Sequence, residues 1–429
     1  MQQPLATRYA TRALIVLFAI NILNFYDRAV LPAVIEPVRK EFNLSDTQIG
    51  AITTAFTLLY ALIGVPLGRV ADRSSRKKLL ASGVTVWSLL TALTALVTSY
   101  GSLVFVRLGV AVGEAVCAPV GTSWLGDLFP ANKRARVLGL FMLGVPIGQS
   151  LSNFFSGPVA HAFGWRTAMV LAAVPALLLV PALLSLHEPI RGASESRVPA
   201  GPQKQAWSIL RIPTLWWIIA SGALLNFIMY AFSTFLTSFL MRVHGFSMQS
   251  TGIAAGVVYI SGGVLGGLLA GRVGDWIMPK RKDGRMLAAA LAALVSAPLA
   301  YLGILQPVGA AAIALPLLAI AYGFFNMYYG LVYSSIQDIV SPSLRGTTMA
   351  FYFMVMYLGG ASFGSLITGN LSDRMARNAA TAAGSSVITE AAKAIGLQQA
   401  MFILPVMALA LALVLYAGSR TIEGDMRRV

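Results

Sequence analysis

The chain has little of what soluble enzymes use for chemistry or for crosslinks. Its 429 residues include 1 cysteine and 3 histidines, and charged side chains make up 11% of it. The single cysteine, Cys117, excludes an intrachain disulfide and a cysteine metal cluster. His161, His187 and His244 are too dispersed for a metal site or a nucleophile–base pair, and no Gly-rich nucleotide-binding loop is present. We therefore expect neither an enzyme nor a cofactor.

Long apolar runs dominate the sequence instead. Hydrophobic residues make up 57% of the chain, and the mean hydropathy is +0.74. Runs of about 20 apolar residues recur, and each is long enough to cross a ~30 Å hydrocarbon core. The sequence predicts an all-α integral membrane protein with twelve transmembrane segments, here numbered in order: 12–32, 48–70, 79–98, 102–128, 136–159, 166–186, 213–241, 248–273, 286–305, 309–338, 346–370 and 397–418.

The distribution of positive charge predicts the orientation. If both termini are cytoplasmic, most of the 32 Lys and Arg residues fall in cytoplasmic tails, loops and helix ends, as the positive-inside rule expects. The net charge of +16 is scattered over short loops. Its expected partner is anionic lipid of the inner leaflet, not nucleic acid. We expect a monomer in the cell membrane, which is the inner membrane in a bacterium.

A polar stretch at 187–212 follows segment 6 and divides the chain. It predicts an N-terminal six-helix bundle at 1–186, a cytoplasmic linker, and a C-terminal six-helix bundle at 213–429. Similar sequence recurs at 68–73 and at 271–276, which lie at corresponding places in the two halves. Repeated bundles of this kind bind substrate between the halves, near the midplane of the membrane.

Four charged residues lie inside the apolar segments. Asp27 and Arg28 are in segment 1, and Arg107 and Glu114 are in segment 4. An ionised group at this depth costs at least ~2.5–3.5 kcal/mol and marks a path for substrate or protons. These residues predict a transporter with a buried polar site.

The spacing of the four charges leaves two candidates for the proton carrier, Glu114 and Asp27. Arg107 and Glu114 are two turns apart and share one helix face. If Glu114 met an arginine in one conformation only, it would bind and release protons; a static pair is the alternative. Asp27 is the competing carrier. Asp27 and Arg28 point about 100° apart on a helix, so we expect one to face the cavity and the other a neighbouring helix.

Two motifs resemble those of the major facilitator superfamily. The loop motif between segments 2 and 3 is Gly68-x-x-x-Asp72-Arg73-x-x-Arg76-Lys77, and the motif of segment 4 is Arg107-x-x-x-Ala111-x-Gly113-Glu114-Ala115. Three further stretches resemble the Spinster branch, whose members transport lysolipids and sphingolipids: Asn24-Phe25-Tyr26-Asp27-Arg28, Val112-Gly113-Glu114-Ala115 and Glu188-Pro189-Ile190-Arg191-Gly192. The resemblance implies the major facilitator fold.

The resemblance also implies roles for residues of segment 1. In Spinster-like proteins the corresponding acid and arginine are implicated in coupling and substrate binding, which implies the same for Asp27 and Arg28. We favour Asp27 as the proton site, with Arg28 and Glu114 shaping the cavity, and we place Asn24 among the substrate contacts. The pattern Asn-x-x-Asp-Arg also occurs in organic-anion/proton symporters of the same superfamily.

The C-terminal half has polar and aromatic side chains at membrane depth. They are Asn226, Tyr230, Asn326, Tyr329, Tyr333 and Tyr357. Singly, such residues pack in the bundle or sit in an interfacial belt. Together with a charged N-terminal half they favour an amphiphile, with its anionic head near Arg28 and Arg107. A sugar acid would need charges or amides from both halves.

A cytoplasmic gate is predicted at the helix ends. Asp72, with Arg73 and Arg76, would latch the halves in the outward-facing state; a solvated turn is the alternative. The same pattern recurs at Asp275. Asp127 precedes Arg134 by seven residues, and Asp338 precedes Arg345 by seven, so these pairs join the gate or are simple helix-end polarity.

The leading functional hypothesis is a secondary active transporter. It would move lysophospholipid- or sphingolipid-like amphiphiles by alternating access with coupling to protons. The alternative is a proton-coupled organic-anion symporter of the sugar-acid type, or a drug/proton antiporter.

Overall fold

A computed structural model describes residues 3–129, 131–190, 209–340 and 344–427 of the chain. Within these ranges the side chains of residues 3–7, 65, 72, 131–136 and 345–347 are not described.

The described residues form α-helices joined by short turns, without a β-strand among them. The helices are α1 Gln3–Ala33, α2 Ile35–Phe42, α3 Asp46–Arg73, α4 Arg76–Leu93, α5 Tyr100–Glu114, α6 Cys117–Leu128, α7 Ala131–Met142, α8 Gly144–Phe163, α9 Trp165–Leu184, α10 Pro213–Arg242, α11 Met248–Ile277, α12 Gly284–Leu305, α13 Ala311–Asp338, α14 Arg345–Met356, α15 Ser362–Ala382, α16 Glu390–Met401 and α17 Ile403–Met426.

Twelve helical stretches of these ranges are long and apolar enough to cross a membrane. They run from Arg8–Ala33 to Glu390–Met426, and each overlaps the segment predicted at its place in the sequence. The prediction of twelve transmembrane helices in an all-α protein is therefore confirmed. The cytoplasmic position of both termini stays a prediction.

Transmembrane segments 4 and 5 are each broken near a proline. Segment 4 breaks between Glu114 and Cys117, and α8 begins at Gly144, directly after α7. Proline lacks the N–H that would bond the carbonyl four residues earlier, and its ring clashes with that carbonyl. Pro119 and Pro146 stand three to four residues after the two breaks. The break in segment 4 leaves Glu114 as the last residue of α5.

The chain forms two compact units. Unit 1 consists of residues 1–43, 55–198 and 248–256, and unit 2 consists of residues 44–54, 199–247 and 257–429. Thus α3 and α11 each contribute to both units. The division of the sequence at 187–212 stays a prediction.

Two glycines allow the helices of unit 1 to approach closely around the charged residues. A Cβ on Gly113 of α5 would lie 2.8 Å from the backbone nitrogen of Trp87 in α4. A Cβ on Gly148 of α8 would lie 2.3 Å from the carbonyl oxygen of Ile22 in α1. Small residues that admit close backbone contact are the usual means of packing helices in membranes. These contacts position α5 beside α4, and α1 beside α8.

We expect Gly148→Ala to destabilise the protein. The added methyl group would overlap the Ile22 carbonyl, and overpacking of this kind typically costs about 1–3 kcal/mol. The melting temperature of the purified protein in detergent would fall. Gly139→Ala is the matched control, because no atom lies within 4 Å of its Cβ position and alanine favours a helix. Equal melting temperatures for the two variants would contradict this account of α1–α8 packing.

Candidate functional site

The four charged residues of segments 1 and 4 come together in unit 1. Asn24, Asp27 and Arg28 share a face of α1 by their spacing, while Arg107 and Glu114 lie on α5. Asp27 is 2% exposed and Glu114 is 0% exposed. We call Asp27, Arg28, Arg107 and Glu114 the charge quartet. It holds two acids and two bases.

The quartet pairs across the two helices. Arg28 donates a hydrogen bond from Nε to Oε2 of Glu114 at 2.6 Å. Arg107 places Nη1 3.7 Å from Oδ2 of Asp27. Both charges of α1 therefore meet α5, in contrast to the expectation that only one would face a neighbouring helix. Asp27 and Arg28 point about 100° apart on α1. The Arg28 side chain is long enough to reach α5 all the same, which explains the difference.

The two pairs differ in strength. The Arg28–Glu114 pair is a charge-assisted hydrogen bond, whereas 3.7 Å is too long for one. Among the described residues, no donor reaches either oxygen of Asp27, and the Asn24 amide nitrogen has no acceptor. The carboxyl groups of Asp27 and Glu114 lie within hydrogen-bond range of each other, so they can form a hydrogen bond only when one of them is protonated. A buried charge without hydrogen bonds is costly. Asp27 is thus the more weakly paired of the two acids.

Three aromatic rings surround the arginines of the quartet. The guanidinium carbon of Arg28 lies 4.1 Å from the ring centre of Tyr60 and 5.0 Å from that of Phe25. Phe56 serves both arginines, with its ring centre 5.8 Å from Arg28 and 5.2 Å from Arg107. These are cation–π distances. Sequence reasoning missed Phe56 and Tyr60, because nothing distinguishes them within an apolar segment.

Four predicted tyrosines form one group in unit 2. Tyr230 meets Tyr357 with ring centres 6.2 Å apart, and Tyr329 meets Tyr333 at 5.5 Å. Both Tyr329 and Tyr333 also lie near Tyr357. The two predicted asparagines behave differently. Each amide donates to the carbonyl four residues earlier in its own helix, Asn226 to Gly222 and Asn326 to Tyr322.

The tyrosine group lies beside two features that the sequence did not single out. Tyr328 hydrogen-bonds to Ser221 at 2.8 Å and to Tyr352 at 3.0 Å. Residues Tyr357–Ala361 form a π-helical turn, a feature often found at functional sites. The adjacent glycines Gly359 and Gly360 are the sequence feature that could have indicated this turn. Gly360 packs against the Ala223 carbonyl.

Arg76, one of the predicted gate residues, is the centre of a buried polar network. It is 1% exposed. It donates from Nη1 to Asp127 at 2.5 Å and from Nε to Glu188 at 3.2 Å. Its other donors reach Ser123 and the carbonyl of Pro189. The network joins α4, α6 and the chain after α9.

A related pair occurs in the second half of the sequence. Arg285, at the start of α12, donates from Nη1 to Asp338 at 2.6 Å. Arg285 and Asp338 occupy places that correspond to Arg76 and Asp127. The repeat predicted from Asp127 and Asp338 thus includes their arginine partners.

The remaining gate residues are less informative. Arg73 and Asp275 are exposed. The side chains of Asp72, Arg134 and Arg345 lie outside the described residues, and so do Arg191 and Gly192 of the stretch after segment 6. The gate itself stays a prediction.

Glu188 has an altered acidity within the Arg76 network. Burial raises the pKa of its carboxyl group, but hydrogen bonds from Ser75, Arg76 and Lys77 outweigh burial and hold the pKa below its ordinary value. The folded protein therefore favours the charged form of Glu188.

Unit 2 also contains a buried ion pair that sequence reasoning missed. Arg242 donates to Asp46 at 2.8 Å, and Ser372 donates to the same carboxylate. Asp373 accepts from the backbone nitrogens of Asp46 and Thr47 and so caps the first turn of α3. The cap satisfies N–H groups that a helix start leaves free.

Twelve membrane-spanning helices and a buried, charge-balanced quartet are the features of a membrane transport protein. The family model of the Major Facilitator Superfamily matches residues 17–364. The chain belongs to this superfamily, a family of transporters and not of enzymes, and it is a multi-pass membrane protein.

This chain is also similar to individual known transporters. The crystal structure of a bacterial homologue of the human lysosomal transporter Spinster is similar, with a TM-score of 0.87 and 27% identity over 97% of this chain and 98% of that chain. An MFS-type efflux pump of Mycolicibacterium smegmatis is 30% identical over 86% of each chain. A probable L-galactonate transporter of Escherichia coli is 28% identical over 63% of each chain. The predicted resemblance to the Spinster branch is confirmed.

We expect Glu188→Gln to destabilise the protein at neutral pH and not at acidic pH. The folded state lowers the pKa of Glu188, so its stabilising effect is present above the unfolded pKa and is lost as the pH falls through the folded pKa. Losing hydrogen bonds to a charged group costs about 1.5–3 kcal/mol. Melting temperatures across this pH range check the prediction.

The control for Glu188 is Glu390→Gln. Glu390 pairs with Lys393 at 3.0 Å on the surface, where ion pairs contribute little. A constant difference between wild type and Glu188→Gln at every pH would contradict the role given to the Glu188 charge.

Proposed function

We propose that this protein is a proton-coupled secondary transporter that moves amphiphiles with an anionic head group, such as lysophospholipids or sphingolipids, by alternating access. Asp27 is the proton carrier. Arg28 and Arg107 receive the head group, with Asn24 beside them. The tyrosine group of unit 2 contacts the apolar tail.

The weak pairing of Asp27 is the observation that carries this proposal. Its carboxylate is buried and meets no hydrogen-bond donor within the described part of the chain, its ion-pair contact with Arg107 is at 3.7 Å, and the neighbouring Glu114 carboxyl can share a hydrogen bond with it only when one of the two acids carries a proton. Glu114 is instead held by a 2.6 Å hydrogen bond from Arg28. A group that changes its protonation during transport must be able to change partners, and Asp27 would break weaker contacts than Glu114 in doing so.

Charge balance links the proton to the substrate. The quartet is neutral when both acids are ionised. A proton on Asp27 leaves the positive charge of Arg107 uncompensated, and a buried unpaired charge is strongly unfavourable. An anionic head group would restore the balance. Proton binding and anion binding at the quartet therefore favour each other.

The polar groups of unit 2 support an amphiphile over a sugar acid. A sugar acid needs hydrogen-bond donors for its hydroxyl groups. The amides of Asn226 and Asn326 each use one of their two donor hydrogens on their own helix, and the rings of the four tyrosines offer apolar surface for a tail. The chain is also similar to a bacterial Spinster homologue, and the sequence resemblance to that branch is what suggested a lipid-like substrate.

A sugar-acid symporter or a drug/proton antiporter is the second candidate. The similarity to a probable L-galactonate transporter and to an efflux pump favours it. Two arginines beside an acid would also suit a carboxylate substrate.

The networks of Arg76 and Arg285 suit a cytoplasmic gate. Arg76 ties the start of α4 to Asp127 and Glu188, and Arg285 ties the start of α12 to Asp338. Each network holds helix ends together within its own unit. Such rigid ends would let each bundle move as a body when the gate opens.

Transport into proteoliposomes tests the substrate class. Labelled lysophospholipid and labelled hexuronate would be offered side by side, with and without an imposed pH gradient. We expect lipid movement that the gradient accelerates. Movement of hexuronate alone would refute the lipid assignment and leave the organic-anion symporter.

Asp27→Asn and Glu114→Gln test the proton carrier in the same assay. We expect Asp27→Asn to remove the effect of the gradient, because an amide cannot bind the proton, and Glu114→Gln to keep it at a lower rate. Asp283→Asn is the control, since Asp283 pairs with Arg281 outside the membrane-spanning stretches. Gradient-driven transport that survives Asp27→Asn and is lost in Glu114→Gln would assign the proton to Glu114.

A further inference from the structure

We infer that Phe56 is a positioning residue that holds the Arg107 guanidinium away from Asp27 and thereby sets the pH range of the proton site. This inference rests on the proposed role of Asp27. The role inferred for Phe56 is exerted through Arg107.

The contacts of Arg107 carry the inference. Its guanidinium lies over the Phe56 ring at 5.2 Å, the one ring it faces among the described residues. Its Nη1 is buried without a hydrogen-bond partner there and stops 3.7 Å short of Asp27. A guanidinium next to a free carboxylate would normally close to about 2.7–2.9 Å. The ring is the contact that competes with the carboxylate.

Arg28 depends less on Phe56 than Arg107 does, although the Phe56 ring also stacks on that of Tyr60 at 6.4 Å. It has a hydrogen bond to Glu114 at 2.6 Å and lies closer to two other rings, those of Tyr60 and Phe25. The Phe56 ring centre is farther from Arg28, at 5.8 Å. A change at Phe56 should therefore act mainly on Arg107.

Burial makes the contact strong enough to matter. Phe56 is 7% exposed and Arg107 is 4% exposed. Cation–π attraction is strongest when the cation is desolvated. The ring attracts through its negative face, so its effect depends on the electron density of the ring and not only on its volume.

Asp27 has other titratable and charged groups around it besides Arg107. Tyr26 and Arg28 flank it on α1, and the Glu114 carboxyl of α5 lies within hydrogen-bond range of it. Cys117 of α6 lies within range of Arg28 and Glu114. From α8, Ser156 meets the Tyr26 hydroxyl at 3.2 Å. Arg107 is the group whose distance to Asp27 the ring controls.

Weakening the ring should let Arg107 close on Asp27. A nearer cation favours the charged carboxylate, so a lower pH would be needed to protonate the site. The midpoint of every property that depends on this proton should shift to lower pH.

A series of fluorinated phenylalanines at position 56 tests the inference. Analogues with one, two and three ring fluorines keep the shape of the ring and withdraw its electrons stepwise. Two midpoints would be measured: the pH dependence of lysophospholipid transport, and the Asp27-dependent part of the pH dependence of the melting temperature. The Asp27-dependent part is the difference between the pH dependence of the melting temperature with Asp27 present and that with Asp27→Asn.

We expect both midpoints to fall stepwise with fluorine number, and to fall by about one pH unit in Phe56→Leu. Phe141 is the matched control. It is a buried phenylalanine of the unit 1 core, and no cation lies over its ring in the described structure. The same analogues at Phe141 should leave both midpoints unchanged.

The two readouts separate this inference from the proposed function. Suppose that Asp27→Asn removes both pH dependences but that both midpoints stay the same throughout the Phe56 series. The inference is then overturned, and the proton role of Asp27 stands. If transport ignores pH while the melting midpoint shifts along the series, Phe56 positions Arg107 and the coupling proposal fails. If Asp27→Asn changes neither profile, the inference is overturned together with the proton role of Asp27.

Discussion

The need of every buried charge for an opposite charge governs the functional half of this molecule. Helices α1 and α5 each carry one acid and one base at membrane depth, and each charge finds its partner on the other helix. Removing one member would leave an unpaired charge in a low-dielectric surrounding. The four residues therefore constrain one another, and they constrain how α1 and α5 can be placed.

Close backbone packing makes that pairing possible. Gly113 directly precedes Glu114 and lets α5 lie against α4, and Gly148 brings α8 against the turn of α1 that carries Asn24. A larger side chain at either place would push a helix outward. Because ion-pair energy changes steeply with distance in a low-dielectric medium, small shifts of these helices would change the balance between the two pairs. The close packing of these helices therefore sets the distances within the two ion pairs.

The polar networks at the helix ends show the internal repeat more clearly than the site does. Arg76 meets Asp127 in the first half, and Arg285 meets Asp338 in the second. The candidate site residues of the two units differ, with charges in unit 1 and tyrosines in unit 2. A duplicated scaffold with a specialised site in each half is consistent with the superfamily to which the chain belongs.

The sequence by itself determined the twelve helices, because a spanning helix must satisfy its backbone hydrogen bonds internally and bury about 20 apolar residues. It also singled out Asp27, Arg28, Arg107 and Glu114 as candidates for function, since charges stand out against an apolar background. Only the tertiary structure decided which acid meets which arginine, because either arginine could reach either acid. It alone revealed Phe56, since an aromatic residue in an apolar segment gains its role only from the cation that lies over it.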